Sequence, residues 1–138
     1  MKKDNQRRFF ALAFEIIGAL LVGFFAAAVV GNGLSVILVG SALGDQLGMG
    51  VLTIQIYGAI LAFGIGAGIG AGFGGRLLRQ NGSVWFAMST SLMFSALVVL
   101  ISRTLMTSNS LVPTLFVALG VSVVGAVIGY NRRRSSPT

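Results

Sequence analysis

The sequence contains no cysteine and no histidine, and only three of its 138 residues are acidic. Without cysteine there can be no disulfide, no thiolate metal site and no thiol redox chemistry. The three acids, Asp4, Glu15 and Asp45, lie in different segments, so the sequence predicts neither a carboxylate pair nor a metal cluster. We therefore expect a protein that is not an enzyme and that binds no cofactor and no metal.

Charge is also scarce. Charged residues make up 9% of the chain and hydrophobic residues 55%, whereas a soluble domain carries about 25% charged residues. The net charge of +7 would favour nucleic acid only if a folded domain presented one basic face. Because the basic residues instead flank apolar runs, we expect membrane lipids, with anionic headgroups, as partners and no nucleic acid. The residues expected at lipid headgroups are Lys2, Lys3, Arg7, Arg8, Arg76, Arg79, Arg132, Arg133 and Arg134.

Four apolar runs are long enough to cross a bilayer, whose core of about 30 Å needs about 20 helical residues. They cover approximately residues 9–30, 51–75, 84–102 and 111–130. These runs predict an all-α integral membrane four-helix bundle, a single transmembrane domain over residues 1–138.

The first connector, residues 31–50, has an apolar centre from Leu34 to Leu43 that is too short to span. It is either a re-entrant or surface-lying segment or a fifth helix. With four spans, nine of the ten Lys and Arg residues fall on one side of the membrane, and with five spans they divide evenly. The positive-inside rule therefore favours four spans in a bacterial inner membrane, with both termini cytoplasmic.

A cleaved signal peptide is the rival interpretation of the first span. Its basic start and the three alanines at 26–28 suit one. The apolar core of a signal peptide, however, has about 7–15 residues, and the run that starts at Phe9 is longer. We therefore expect the first helix to be retained.

Alternating glycines dominate the second span, "FGIGAGIGAGFGG" at 63–75. The match to G-x-G-x-x-G is not a dinucleotide site, because no acid follows Asp45. On a helix the glycines form two strips about 200° apart. The first strip is Gly64, Gly68 and Gly72, and the second is Gly58, Gly66, Gly70 and Gly74. Such strips let neighbouring backbones approach closely in lipid. We expect them to pack helices inside one bundle, with an oligomer or pore axis as the alternative.

Other spans carry the same pattern more weakly. Gly125 and Gly129 lie four apart in the last span, and Ser91 and Ser95 in the third can bond across to a neighbour or back to their own helix. Together with the strips of the second span they predict a tightly packed bundle.

Two polar residues inside the spans are candidate intramembrane sites. Glu15 is the only carboxylate in any span, and an acid there can serve as a proton relay, a cation site or an ion pair. It lies near the headgroup level, where it can also be solvated or pair with Arg8 or Arg79. Gln55 lies near the opposite end of the second span.

The glycine-rich span also resembles the first helix of rotary ATPase c-subunits, but the third and fourth spans lack the carboxylate that those proteins need. The stretch "FEIIGALLVGFF" resembles aquaporin first helices, without their Asn-Pro-Ala loops, and small assembly proteins encoded beside ATP synthase. A resemblance over most of the chain is to a family of small, uncharacterised bacterial four-span membrane proteins. It rests on "GAGFGGRLLRQNG" after the second span and on "GAVIGYNRR", with Gly125, Gly129 and Asn131, at the end of the fourth. This resemblance implies a fold and no activity.

These observations predict a small polytopic membrane protein that acts as a non-enzymatic packing, assembly or accessory subunit of a membrane complex. The alternative is a small homo-oligomeric channel or transporter that uses Glu15. The expected protein partners are further copies of the chain or other membrane subunits.

Overall fold

The computed structural model describes residues 2–39, 41, 46, 50–78, 81–105 and 111–132. Within these residues the chain forms four helices, α1 (Lys2–Val39), α2 (Gly50–Leu77), α3 (Val84–Leu105) and α4 (Leu111–Asn131). The all-α prediction is confirmed for this part of the chain.

The other three helices pack around α2, which contacts each of them. Helices α1 and α2 are antiparallel, because Gly74 lies against Glu15 while Gly58 lies against Leu34. Helices α3 and α4 are antiparallel as well, with Gly129 against Phe86 and Ser122 against Ser95. The N-terminal half of α1 and the C-terminal end of α4 therefore meet at one end of the bundle.

Helix α1 is longer than the sequence predicted. The expected span ended near Val30, and a separate re-entrant or surface segment was expected from Leu34. Instead α1 continues to Val39. The amide of Asn32 donates a hydrogen bond to its own helix, at the carbonyl of Ala28, 2.8 Å away. Unpaired backbone groups are very costly in lipid, so continuing the helix through two glycines, at about 1 kcal/mol each, is the cheaper course. The remainder of the predicted segment, Gly40, Ala42 and Leu43, lies outside the described residues.

Small side chains fill most of the interior, and large apolar side chains lie on the surface, which is the reverse of a soluble protein. Most of the fully buried positions are filled by small residues, among them Ala19, Ala67, Ala71, Ala87 and Ala126, each 0% exposed. Large apolar side chains lie on the outer surface, including Phe25 at 72% and Trp85 at 77% exposed. In water this surface would be a very large apolar patch. In lipid it costs nothing, while small residues inside let the helices approach.

Among the described residues, three helical segments are long and apolar enough to cross a membrane: Arg8–Val39, Gly50–Leu77 and Val84–Ser102. The described apolar stretch of α4, Leu115–Asn131, is shorter. The described part of the chain is thus helical and carries three segments suited to span a membrane, and the crossing by α4 stays a prediction.

Candidate functional site

Glu15 is buried at the end of the bundle where α1, α2 and α4 meet. Its side chain is 1% exposed, and Gly74 of α2 lies directly over its backbone. Gly74 is two residues before Arg76, so Glu15 lies only about 3 Å further into the bundle than the basic end of α2. This depth places the carboxylate near the boundary between the apolar helices and their charged ends.

Asn131, at the last position of α4, holds the Glu15 carboxylate. Its Nδ2 donates one hydrogen bond to Oε2 of Glu15 at 2.8 Å and another to the carbonyl of Val127 at 2.9 Å. With both amide hydrogens committed, the orientation of the Asn131 side chain is fixed. The sequence offered Arg8 and Arg79 as partners of Glu15. The structure shows that one partner is this neutral amide, and Arg79 lies outside the described residues.

An open groove of about 610 Å³ leads to this pair from the end of the bundle. Arg8, Ala11, Leu12 and Glu15 line one side along a single face of α1, and Asn131 lines the other. An exposed guanidinium, a buried carboxylate and an amide therefore border the same space. This set can bind or relay a proton or hold a small polar group.

Tyr130 locks the same end of the bundle. It is 0% exposed and is among the largest fully buried side chains. Its ring occupies the space where a Cβ would lie at both Gly75, near the end of α2, and Gly82, in the connection to α3. Only glycine at both positions leaves room for the ring. Nothing in the sequence pattern alone predicts this role, although Tyr130 stands between Gly129 and Asn131 at the end of the last span.

A seam of hydroxyl groups joins α3 to α4. Ser91 donates to the carbonyl of Ser122 at 2.8 Å, and the hydroxyls of Ser95 and Ser122 lie 2.6 Å apart. Ser95 also reaches back to the carbonyl of Ser91 in its own helix at 2.9 Å. Thr90 adds a bond to the carbonyl of Gly125 at 2.8 Å. The seam thus uses both bonding modes expected for Ser91 and Ser95, and Ser122 and Thr90 were not foreseen.

The two glycine strips of α2 meet different helices of the same chain. Gly66, Gly70 and Gly74 lie against the backbone of α1. Gly64 and Gly68 lie against α3, at Ser95 and Met88, and Gly72 lies against Val84. Gly58 faces Leu34, while Gly125 and Gly129 of α4 face Phe94 and Thr90 of α3.

Of the other predicted polar and basic residues, Arg8 borders the same groove as Glu15, whereas Gln55 lies far from it. Gln55 lies 19 positions from Gly74 along α2, about 28 Å of helix rise away. Arg8, Arg76 and Arg132 are exposed and lie at the same end of the bundle as Glu15. The side chains of Lys2, Lys3, Arg7, Arg133 and Arg134 lie outside the described part. Across the side chains that are described, no three acids, cysteines or histidines form a metal-binding group.

No protein-family model matches this chain, and neither the curated proteins nor the solved structures provide a match.

Proposed function

We propose that the chain is a non-enzymatic accessory or assembly subunit of a membrane complex, built as a four-helix membrane bundle. In this proposal it lies in a bacterial inner membrane with both termini in the cytoplasm. The charge bias supports this orientation, because the described end of the bundle that carries Glu15 also carries Arg8, Arg76 and Arg132.

The observation that carries the proposal is the coverage of α2. One glycine strip is covered by α1 and the other by α3. A c-subunit-like ring or a glycine-lined pore needs one strip free for a neighbouring chain. With both strips used internally, the bundle is complete in itself, and contacts with other proteins must use its outer face.

The outer face of α1 supports a role in assembly. Large apolar side chains recur there at alternating spacings of four and three residues, which is the spacing of a helix-packing seam. They are all exposed on the chain: Phe10, Phe14, Ile17, Leu21 and Phe24. A helix of another subunit can pack against such a seam.

Purification in mild detergent tests this proposal. The chain is expected to co-purify within a larger complex, and the double variant Ile17→Ala with Leu21→Ala should leave that complex. The matched control is Val124→Ala with Ile128→Ala, which changes two exposed residues on α4 and should stay in the complex. A chain that always migrates alone, or two double variants that behave alike, would contradict the proposal.

The second candidate function is a small channel or transporter that uses Glu15. The specific observation in its favour is that the buried carboxylate borders an open groove with Arg8 and Asn131. Purified protein in liposomes should then carry a proton or solute flux that is lost in Glu15→Gln and kept in Gln55→Leu. Flux that persists in Glu15→Gln, or no flux at all, would reject this candidate.

A further inference from the structure

A second groove, of about 450 Å³, opens between α2 and α3 at the same end of the bundle. Part of its lining is polar and consists of Arg76, Asn81 and Ser83. The rest is mainly apolar and includes Phe73, Val84 and Met88. Neither the Glu15 site nor the hydroxyl seam uses this groove.

The groove exists because α2 and α3 diverge towards this end. At Gly68 an added Cβ would meet the backbone of Met88 and Ala87, so the two helices touch there. One turn later, at Gly72, the nearest atoms belong only to the side chain of Val84, with Cγ2 at 2.5 Å. At this level the side chain of Val84 lies between the two helices, and the groove opens beyond it.

Its position and polarity match a lipid at the membrane surface. Trp85 borders the groove and is 77% exposed, and tryptophan is typical of the membrane–water interface. Arg76 can extend its apolar stem along the wall and place its guanidinium among the headgroups. Basic pockets between helices at this depth bind the phosphate groups of anionic lipids.

We propose that this groove binds one anionic phospholipid, with its phosphate at the Arg76 guanidinium and its upper acyl carbons against Phe73 and Met88. Two features of the groove favour this lipid. The Arg76 guanidinium can pair with the phosphate, and the apolar side chains of Phe73 and Met88 can contact the acyl chains. Asn81 and Ser83 supply polar groups beside the phosphate. The lipid would fill the gap between the diverging helices and hold their connection in place.

The only tryptophan in the chain makes the groove directly measurable. The full chain is reconstituted in phosphatidylcholine vesicles that contain increasing fractions of brominated phosphatidylglycerol, and quenching of Trp85 is recorded. Brominated phosphatidylcholine is the reference. We expect the anionic lipid to quench with an apparent affinity about tenfold higher, because phosphatidylcholine carries the same phosphate beside a choline cation that opposes Arg76, whereas phosphatidylglycerol has a net negative headgroup.

Variants separate a site from general surface charge. Arg76→Gln should abolish the tenfold preference, and Arg76→Lys should retain most of it. Arg132→Gln removes an exposed cation at the same end, but outside the groove, and should leave the preference unchanged. The inference is overturned if wild-type quenching is equal for both lipids, or if Arg132→Gln lowers the preference as much as Arg76→Gln. Neither result depends on complex formation or flux, so the lipid inference fails or stands separately from the proposed function.

Discussion

Glu15 and Asn131 lie 116 positions apart in the chain, and their hydrogen bond ties the first helix to the last. A buried carboxylate needs donors in place of water, and leaving it without one is expensive. The amide of Asn131 supplies such a donor without adding a second charge. At the scale of single residues, this pair and the ring of Tyr130 fix how the bundle closes.

We expect Asn131→Ala to lower the free energy of unfolding by about 1–3 kcal/mol, because it removes a donor from a buried charged acceptor. Unfolding in mixed detergent micelles, followed by circular dichroism, measures this loss. Asn32→Ala is the control: Asn32 makes the same bond to its own helix at position i−4 but is exposed, so its loss should cost only a few tenths of a kcal/mol. Equal costs would mean that the bond to Glu15 contributes nothing.

We expect Gly75→Ala to destabilise the fold by about 1–3 kcal/mol, because its new methyl group would overlap the Tyr130 ring. In a Tyr130→Leu background the same change should cost much less, since the ring is gone. Gly31→Ala is the control, as its Cβ would meet Ala59 at an ordinary 3.7 Å. Thermal unfolding in detergent compares Gly75→Ala, Tyr130→Leu, the double variant and Gly31→Ala. If Gly75→Ala lowers the stability equally with and without the Tyr130 ring, the ring does not occupy the space beside Gly75.

At the scale of elements, α2 is the helix on which the other three assemble. Its alternating glycines leave the backbone bare on two sides, and each bare side is matched to a different neighbour. The bulky residues Ile65 and Phe73 fall between these sides and are exposed. The helix therefore presents two packing surfaces and one lipid-facing edge.

We expect Gly68→Ala and Gly70→Ala each to lower the unfolding temperature of the chain, because each methyl group would meet the backbone of α3 or α1. Backbone atoms can move aside less easily than the end of a flexible side chain, so each substitution should lower the free energy of unfolding by about 1–3 kcal/mol. Gly120→Ala, where nothing lies within 4 Å, should be neutral or stabilising by up to about 1 kcal/mol through helix propensity. A Gly68→Ala variant that unfolds normally but loses an assembled state would assign that strip to a contact between chains.

The hydroxyl seam between α3 and α4 should contribute less. Ser91→Ala removes one interhelical bond, and such bonds average about 0.6 kcal/mol in membranes because the alternatives also find partners. Ser89→Ala is the control. Ser89 lies two residues before Ser91 on an exposed face of α3, so its loss should have no measurable effect on the free energy of unfolding in detergent. A loss above about 2 kcal/mol for Ser91→Ala would mean that the seam acts as a cooperative network.

At the scale of the whole molecule, both described chain ends lie at the same end of the bundle, since α4 finishes beside Glu15 and α1 begins beyond Glu15 on the same side. Helix α1 extends about 20 Å further, with 13 helical residues before Glu15. A reporter that is active only in the cytoplasm should therefore signal when fused after Thr138 and should be silent when inserted between Gly44 and Gly50. Signal at both positions would contradict four spans with cytoplasmic termini, and the charge argument would fail.

The sequence by itself determined the class of the molecule and much of its packing chemistry. Long apolar runs with few charges require helices in lipid, because only a helix pairs every backbone group within one segment. The glycine spacing of α2 also predicted two separate bare strips. These conclusions follow from composition and from the helical period, which are local properties.

Only the tertiary structure decided which surfaces and polar groups meet. The extension of α1 to Val39, the choice of Asn131 as a partner of Glu15, the seat of Tyr130 and the divergence of α2 from α3 each depend on contacts between distant segments. In lipid, hydrophobicity does not distinguish one apolar face from another. The partner of each face is therefore set by shape. A glycine backbone without a side chain packs against a ring, a valine or another backbone, and no local sequence pattern predicts which of these it contacts.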